Sequence, residues 1–275
     1  MREGLVLIAC MVAACGRLSF DVDEGIEAGP DAPVMPDAAL DGAGYRASAV
    51  RFEQSTNDFM WTSSLADTTN STRGTFSAWL RFTGGDGEQQ LIAVAQVVGI
   101  GGVVRTASNR FHFVMQNCVG LPMLDMQSRG AYTTASGWVH VLASWDVSAG
   151  RADLYVDDVP DRAATMTMLS GAICYDSIKW GIGGLVDGRL DADVADLFAA
   201  LGTYIDFSVE ANRRLFRDAD GKPVDLGWSC NRPTGSPASG CFVGDAETWN
   251  VNQGEATGFT LEGNGLAPAP TSPSD

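Results

Sequence analysis

An all-β fold, two antiparallel sheets packed as a sandwich with one short helix, is what this sequence predicts. Three observations carry the prediction. Residues 137–159 read GWVHVLASWDVSAGRADLYVDDV, two apolar and aromatic runs of near-alternating polarity joined by Ser148-Ala149-Gly150, the strongest β-hairpin pattern in the chain. Short segments of the same kind, about a dozen, recur along residues 45–265 between turns rich in Gly, Pro, Asn and Asp. No alternation of strand and helix patterns supports a parallel α/β sheet.

Residues 45–53 (YRASAVRFE) open the domain as a strand with Val50 and Phe52 turned inward. Residues 57–61 read as a turn with aromatic anchors, and 68–73 as a polar loop. Residues 74–82 set Phe76, Ala78, Leu80 and Phe82 against Ser77, Trp79 and Arg81, the two-residue period of a half-buried strand. After the turn at Gly84-Gly85-Asp86-Gly87, residues 90–98 are almost unbroken apolar sequence, which predicts a central strand covered on both faces. Residues 110–116 alternate again, and 117–129 return as their hairpin partner. Segments 178–184 and 188–202 continue the pattern, with Leu190, Ala192, Val194, Ala195, Leu197 and Phe198 as core candidates. The helix is expected over 206–217: Ser208 can cap it, Val209, Leu215 and Phe216 supply an apolar side, and arginines lie toward its C-terminal end, where the helix dipole favours cations. Residues 225–263 are loop-rich and close with a strand at 258–262.

The hairpin motifs Trp-x-His-Val (138–141), Trp-Asp (145–146) and Leu-Tyr-Val-Asp-Asp (154–158) resemble the central hairpin of laminin-G-like domains, the concanavalin A-like jelly rolls. Phe76-Ser77-Ala78-Trp79 resembles an early strand of the same family, and Asp187-Gly188-Arg189-Leu190-Asp191 its aspartate-bearing strand, so that the likeness covers roughly residues 45–220. The resemblance implies a jelly-roll sandwich used for binding or adhesion at a surface. Farther on, Pro-x-Asp-Leu-Gly (223–227), Pro-Thr-Gly (233–235), Gly-Asp-Ala (244–246) and Gly-Phe-Thr (258–260) look like extensions of this domain in phage-tail-associated proteins.

The ends of the chain are of a different character. Met1-Arg2 and the apolar residues 5–14 form a secretory signal, too short for the roughly 20 residues that span a bilayer. Val12-Ala13-Ala14-Cys15 resembles the bacterial lipoprotein box, in which the cysteine is acylated and becomes the mature N-terminus. Leu7-Ile8-Ala9-Cys10 fits the same box but would leave an apolar segment below the roughly 7 to 15 residues such a region needs, which favours Cys15. The organisation expected is a lipoprotein signal peptide over 1–14, a disordered acidic Pro/Ala/Asp linker over 15–44, one domain over 45–265 and a disordered tail over 266–275. With 18 Lys and Arg against 34 Asp and Glu, the net charge of -16 repels nucleic-acid phosphates. The chain is therefore expected to be exported and lipid-anchored to the bacterial envelope, at the outer membrane, with the membrane and a glycan or surface protein as partners.

Four further cysteines, Cys118, Cys174, Cys230 and Cys241, are expected to be oxidised in an exported protein, and three connectivities are open. The short Pro/Gly/Ser loop between Cys230 and Cys241 favours a local bridge, which leaves Cys118 for Cys174. Zinc is disfavoured, because there is no Cys-x-x-Cys and the only histidines are His112 and His140.

Catalytic chemistry has one serious candidate. Asp191, Asp193 and Asp196 are spaced like the Glu-x-Asp-x-x-Glu of β-glucanases with a jelly-roll fold, and their retaining mechanism needs carboxyls about 5 to 5.5 Å apart. Aspartate at both ends is one methylene shorter, so structural or solvated aspartates are the expectation, with a glycoside hydrolase using Asp191 and Asp196 as the alternative. Neither histidine accompanies a Gly-x-Ser-x-Gly elbow, and Gly99-Ile100-Gly101-Gly102 lacks the Lys of a phosphate loop. No cofactor is expected. Calcium at the sandwich rim would draw on Asp58, Asp86, Glu88 and Asp187, provided six to eight oxygens converge. Trp61, Trp228 and Trp249 can stack on a sugar ring or cap the core, the latter being the usual fate of a large apolar side chain. A non-enzymatic binding module that recognises carbohydrate or another surface ligand is the function expected; a purely structural envelope protein is the third alternative.

Overall fold

The computed structural model describes residues 44–65, 68–95, 100–176, 179–185, 188–254 and 258–275, all within one compact unit spanning 41–275. Cys10, Cys15 and the tether lie outside the described residues, as do Ile178 and Asp187. In chain order the strands are β1 (Ala49–Phe52), β2 (Phe59–Thr62), β3 (Arg73–Phe82), β4 (Gln89–Ala95), β5 (Ile100–Arg105), β6 (Phe111–Gln116), β7 (Pro122–Ser128), β8 (Val139–Asp146), β9 (Arg151–Val156), β10 (Val159–Pro160), β11 (Arg162–Met168), β12 (Lys179–Ile182) and β13 (Ala192–Leu201). One helical turn, α1 (Glu210–Arg213), follows, then β14 (Gly240–Phe242), β15 (Thr260–Glu262) and β16 (Ala267–Pro268).

They form two antiparallel sheets. One runs β10-β9-β8-β3-β13-β1-β16, with β14 also on β13; the other runs β11-β7-β6-β5-β4-β12-β2-β15. The hairpin 137–159 is β8 and β9, with Asp146 opposite Arg151 at the turn. The inner faces meet in one core, where Phe76 packs edge-on against Phe113 (5.7 Å), and Phe113 lies 6.4 Å from Trp145. Trp145 also donates its indole N–H to the Tyr175 hydroxyl (2.8 Å), which in turn donates to the Arg73 carbonyl (2.7 Å), so the core carries these polar atoms satisfied.

A second core explains why β8 is buried at every position and β13 at all but its last. On the outer side of the first sheet, Leu142 of β8 and Phe198 and Ala200 of β13 are covered by Ile205, Phe207, Phe216, Leu226 and the Cys230–Cys241 bridge. Phe216 packs edge-on against both Phe198 (5.1 Å) and Phe207 (5.8 Å). Residues 203–243 are thus a third layer over the sandwich. Within β13 the register shifts between Ala195 and Phe198, so that Asp196 and Leu197 together face Ala78, a β-bulge with Asp196 at φ 45°. The bulge accounts for the broken alternation of this segment, in which Val194 and Leu197, three apart, both enter the inner core.

Four expectations are corrected. The helix is the single turn Glu210–Arg213 and not 206–217, and Ser208 does not cap it but donates to Asp206 at 2.5 Å. Its arginines instead reach the β9–β10 turn: Arg213 pairs with Asp158, Arg214 with Asp158 (3.0 Å) and Arg217 with Asp157 (2.7 Å), while Asp157 and Asp158 both take positive φ. Residues 57–61 are not only a turn: Phe59–Thr62 is β2, between β12 and β15. The loop-rich reading of 225–263 overlooked β14, and β5 and β11 had no prediction. Residues 266–275 are not a free tail. Ala267 and Pro268 pair with β1, Ser272 donates to the Ala47 carbonyl (2.6 Å), and Ser274 accepts from the Ala47 amide (3.0 Å). The free edge of β1 offers backbone partners to a segment with no apolar period, and an edge is where a strand tolerates proline.

Both bridges pair as expected, Cys118 with Cys174 and Cys230 with Cys241, with Cα separations of 4.9 and 5.8 Å. The second ties the third layer to β14, and through it to β13. Replacing Cys230 and Cys241 together by Ser is expected to remove about 3 kcal/mol of stability, the chain-entropy value for a short loop, read as a lowered urea midpoint.

Candidate functional site

Of the three tryptophans singled out as sugar platforms, only one is open. Trp249 is fully buried between Phe52 (5.7 Å) and Phe242 (5.4 Å). The Trp61 ring already carries the Lys179 ammonium 4.0 Å from its centre, and its indole N–H donates to Glu262 (2.9 Å). Trp228 is 80% exposed. The chain around it works against that exposure, for Leu226 and Cys230 on either side are buried.

The backbone explains how. Ser229 and Cys230 take consecutive left-handed conformations (φ 56° and 51°), which cost non-glycine residues of order 1–3 kcal/mol each and persist only where the surroundings impose them. Here the Cys230 amide donates to the Gly227 carbonyl (3.0 Å), Ala238 to Ser229 (3.0 Å) and Arg232 to Leu226 (3.0 Å). Asp225 accepts from the Gly227 amide (2.8 Å) and pairs with Arg232 (2.9 Å), and the disulfide fixes the far side. The indole is held outward on a frame that cannot fold it back.

Trp228 lines an open groove of about 260 Å³ together with Tyr45, Arg46, Ser48, Asp225, Val243 and Gln253. An open aromatic face beside an exposed guanidinium and a carboxylate suits a ligand with an apolar face and polar edges, the character of a sugar ring. Ser48 also borders a larger, open cleft of about 750 Å³ beside the C-terminal segment, where its hydroxyl donates to Asp245 (2.8 Å). Tyr45, Asp225 and Gln253 were not among the sequence candidates, since no local spacing links the domain's first residue to a turn 180 residues on.

Beneath the groove, the Tyr45 hydroxyl donates to Asp196 (2.9 Å). Asp196 is 2% exposed and its other carboxyl oxygen has no hydrogen-bond partner. Burial pushes this carboxyl up to about 7 against the Tyr45 hydrogen bond, which favours the anion, and the Asp225 charge raises it further. The Tyr45 phenol is pushed up as well, first by burial and then by Asp196.

The other candidate carboxylates are committed elsewhere. Asp193, fully buried, accepts from Arg51 Nε (2.7 Å) and Arg81 Nε (2.9 Å), and Asp191 accepts from the Thr83 hydroxyl (3.1 Å). The β-glucanase-like spacing therefore becomes three carboxylates with three separate sets of partners. His140, stacked on Trp79 (4.4 Å) and bonded to Ser77 (3.0 Å), is pushed down to about 3 by burial and then by Arg217, which makes it a neutral core residue. His112 pairs with Asp125 (2.8 Å). Of the calcium candidates, Asp58 accepts from Thr56 (2.5 Å) and from the Asn264 amide (2.8 Å), Asp86 accepts from Asn109 (3.3 Å) and Glu88 is exposed. Among the described residues no three His, Cys, Asp or Glu side chains gather as a metal site.

No protein-family model matches the chain, and no curated protein matches it. Solved structures do. A "putative carbohydrate binding protein" from Bacteroides ovatus superposes with a TM-score of 0.55 at 10% identity, over 82% of this chain and 60% of that one. A heptameric SAP-like pentraxin from Limulus polyphemus gives 0.44 at 13% identity, over 62% of this chain and 81% of that chain, and domains LG4-5 of the mouse laminin alpha1 chain give 0.41 at 16%, over 58% and 44%. The fold is the concanavalin A-like jelly roll.

The buried Asp196 makes stability depend on pH. From the unperturbed 3.8 to about 7 the unfolded chain has released a proton that the folded chain keeps, so the contribution of Asp196 to stability falls as pH rises through this window and levels off above about 7. Asp153, also raised by burial, adds to the same slope. His140, pushed down to about 3, works in the opposite sense, because below about 6.5 the unfolded imidazole holds a proton that the folded one has lost; Asp196→Asn is therefore expected to make the urea midpoint rise more, or fall less, from about pH 5 to about pH 7.5 than it does in the wild type.

Proposed function

We propose that this chain is a lipid-anchored envelope module that binds carbohydrate through the Trp228 groove. The observation that carries the proposal is an indole 80% exposed on a doubly left-handed, disulfide-braced turn, where strain is spent on presenting an apolar face to solvent. The jelly-roll sandwich supplies the rigid frame, and the Bacteroides ovatus protein that shares it is described in terms of carbohydrate binding. Two disulfides agree with an exported protein, and Cys15 with the acidic linker 15–44 would tether the domain to the outer membrane.

Binding is preferred to hydrolysis because of where the carboxylates lie. A glycosidase must present an acid and a second carboxylate to one glycosidic bond. Asp196 is closed off from solvent beside Tyr45, Asp191 is engaged by the Thr83 hydroxyl and Asp193 is held between two arginines, so the spacing does not bring two free carboxylates to one surface. Asp58 and Asp86 have protein donors in place of an ion, and binding is taken to be independent of calcium.

The test is an array of neutral and charged oligosaccharides probed with the full chain and with Trp228→Ala, with and without a chelator. Glycans bound by the wild type are expected to lose affinity by about thirtyfold or more in the variant, the weight of a stacked hot-spot aromatic, with stability unchanged to within about 0.5 kcal/mol because the indole packs on little. Undiminished binding in the variant would move the site elsewhere, and an array without ligands would favour a structural envelope protein.

A further inference from the structure

One wall residue of the groove, Tyr45, is bonded to a buried acid. Asp196 sits at the β13 bulge with one carboxyl oxygen bonded to Tyr45 and the other without a partner. Its chain neighbour Ala195 belongs to an apolar patch with Ala47, Ala49 and Trp79, into which Tyr45, Trp138 and Ala269 also pack. The charged groups nearby are already engaged. Arg51 of β1 and Arg81 of β3 are both turned to Asp193, Arg217 lies over the Trp79 ring (5.2 Å) and is paired with Asp157, and Asp225 is paired with Arg232. His140, across Trp79 on β8, is neutral. Asp245 accepts from Ser48 and Asp275 faces Arg46 (4.0 Å). Among the described residues no ion pair or hydrogen bond brings a cation to Asp196, and Tyr45 is the side chain that both bonds to it and lines the groove.

We propose that Asp196 is a proton-operated positioning residue for the Trp228 groove: as a neutral acid it keeps the Tyr45 segment closed and the groove formed, and as a carboxylate it favours an open segment that lets water in. The reasoning is linkage. An arrangement that shuts a carboxyl away from water binds its proton more tightly than one in which water reaches it, so raising the pH must favour the open arrangement. The Tyr45 hydrogen bond alone would favour the anion, but it serves one oxygen, and burial of the other outweighs it. Since Tyr45 and Arg46 line the groove with Trp228, opening their segment removes part of its lining. By reciprocity, a ligand held between Trp228 and Tyr45 would favour the protonated acid.

The inference rests on the groove being the binding site, but its test uses no ligand and so stands or falls apart from the glycan result. Hydrogen exchange in the full chain, corrected for intrinsic rates, is followed at about pH 5.5 and about pH 8 for the amides of residues 45–48 and 225–230. In the wild type, protection is expected to fall by about tenfold or more at the higher pH, while the β3 and β8 amides hold theirs; in Asp196→Asn the two pH values should give equal protection. Unchanged wild-type protection, or a fall that persists in the Asn variant, would overturn the proposal. Should that variant not fold, carboxyl-carbon NMR of the wild type decides: an Asp196 midpoint near 7 supports the switch, and one in the ordinary carboxylate range near 4 excludes it.

Discussion

The structure depends on β13 being buried on both faces. One face completes the sandwich core through Ala192, Val194 and Leu197, and the other carries Phe198 and Ala200 into the third layer. A strand so placed gives its polar side chains no route to water, so each must find a partner in the protein or forgo its charge. Asp193 takes the first course between Arg51 and Arg81, on the two strands that flank it, an arrangement in which loss of either partner leaves a costly buried charge. Asp196 takes the second.

The bulge at Asp196 makes both solutions fit one strand. A strict two-residue alternation would send Leu197 outward with Ala195, and a one-residue slip exchanges every later side chain between faces. By placing Asp196 and Leu197 opposite Ala78, the strand returns Leu197 to the inner core and Phe198 to the outer one. The extra residue points its carboxyl at Tyr45, the first residue of the predicted domain, so an irregularity in the middle of the sheet is tied by one hydrogen bond to a residue that lines a surface groove.

The third layer converts scaffold into site. Segment 203–243 has few regular elements, and it holds its shape by inserting Phe207 and Phe216 against the sheet, by the arginines that clamp the Asp157-Asp158 turn, and by the Cys230–Cys241 bridge. Because these anchors bury Leu226 and Cys230, the residues between them are displaced outward, and Trp228 takes the outermost place. Exposure of one large aromatic is thus a consequence of burying its neighbours. The C-terminal residues, paired along β1 and bonded to Ala47, hold the Tyr45, Arg46 and Ser48 part of the groove lining in the same way.

What the sequence by itself determined is what short-range patterns can encode. The alternation of Phe76 to Phe82 and the twin runs of the hairpin determined three strands and their inward faces, since side-chain direction in a strand follows from a two-residue period. The Cys230–Cys241 pairing was legible because only ten residues, rich in Pro, Gly and Ser, lie between them and leave the bridge little choice. Motifs with no such period were not legible: β11 is a largely exposed edge strand, β16 is a Pro-Ala segment, and the expected helix shortened because Phe207, Phe216 and its arginines are pulled to separate partners on the sheet. Trp228, Trp249 and Trp61 are equivalent as letters. Only the tertiary structure decided that one is solvent-facing, one is core and one is covered by a lysine, because burial is set by what the distant chain brings alongside, and Tyr45 meets Asp196 and Trp228 across separations of about 150 and 180 residues that no local spacing records.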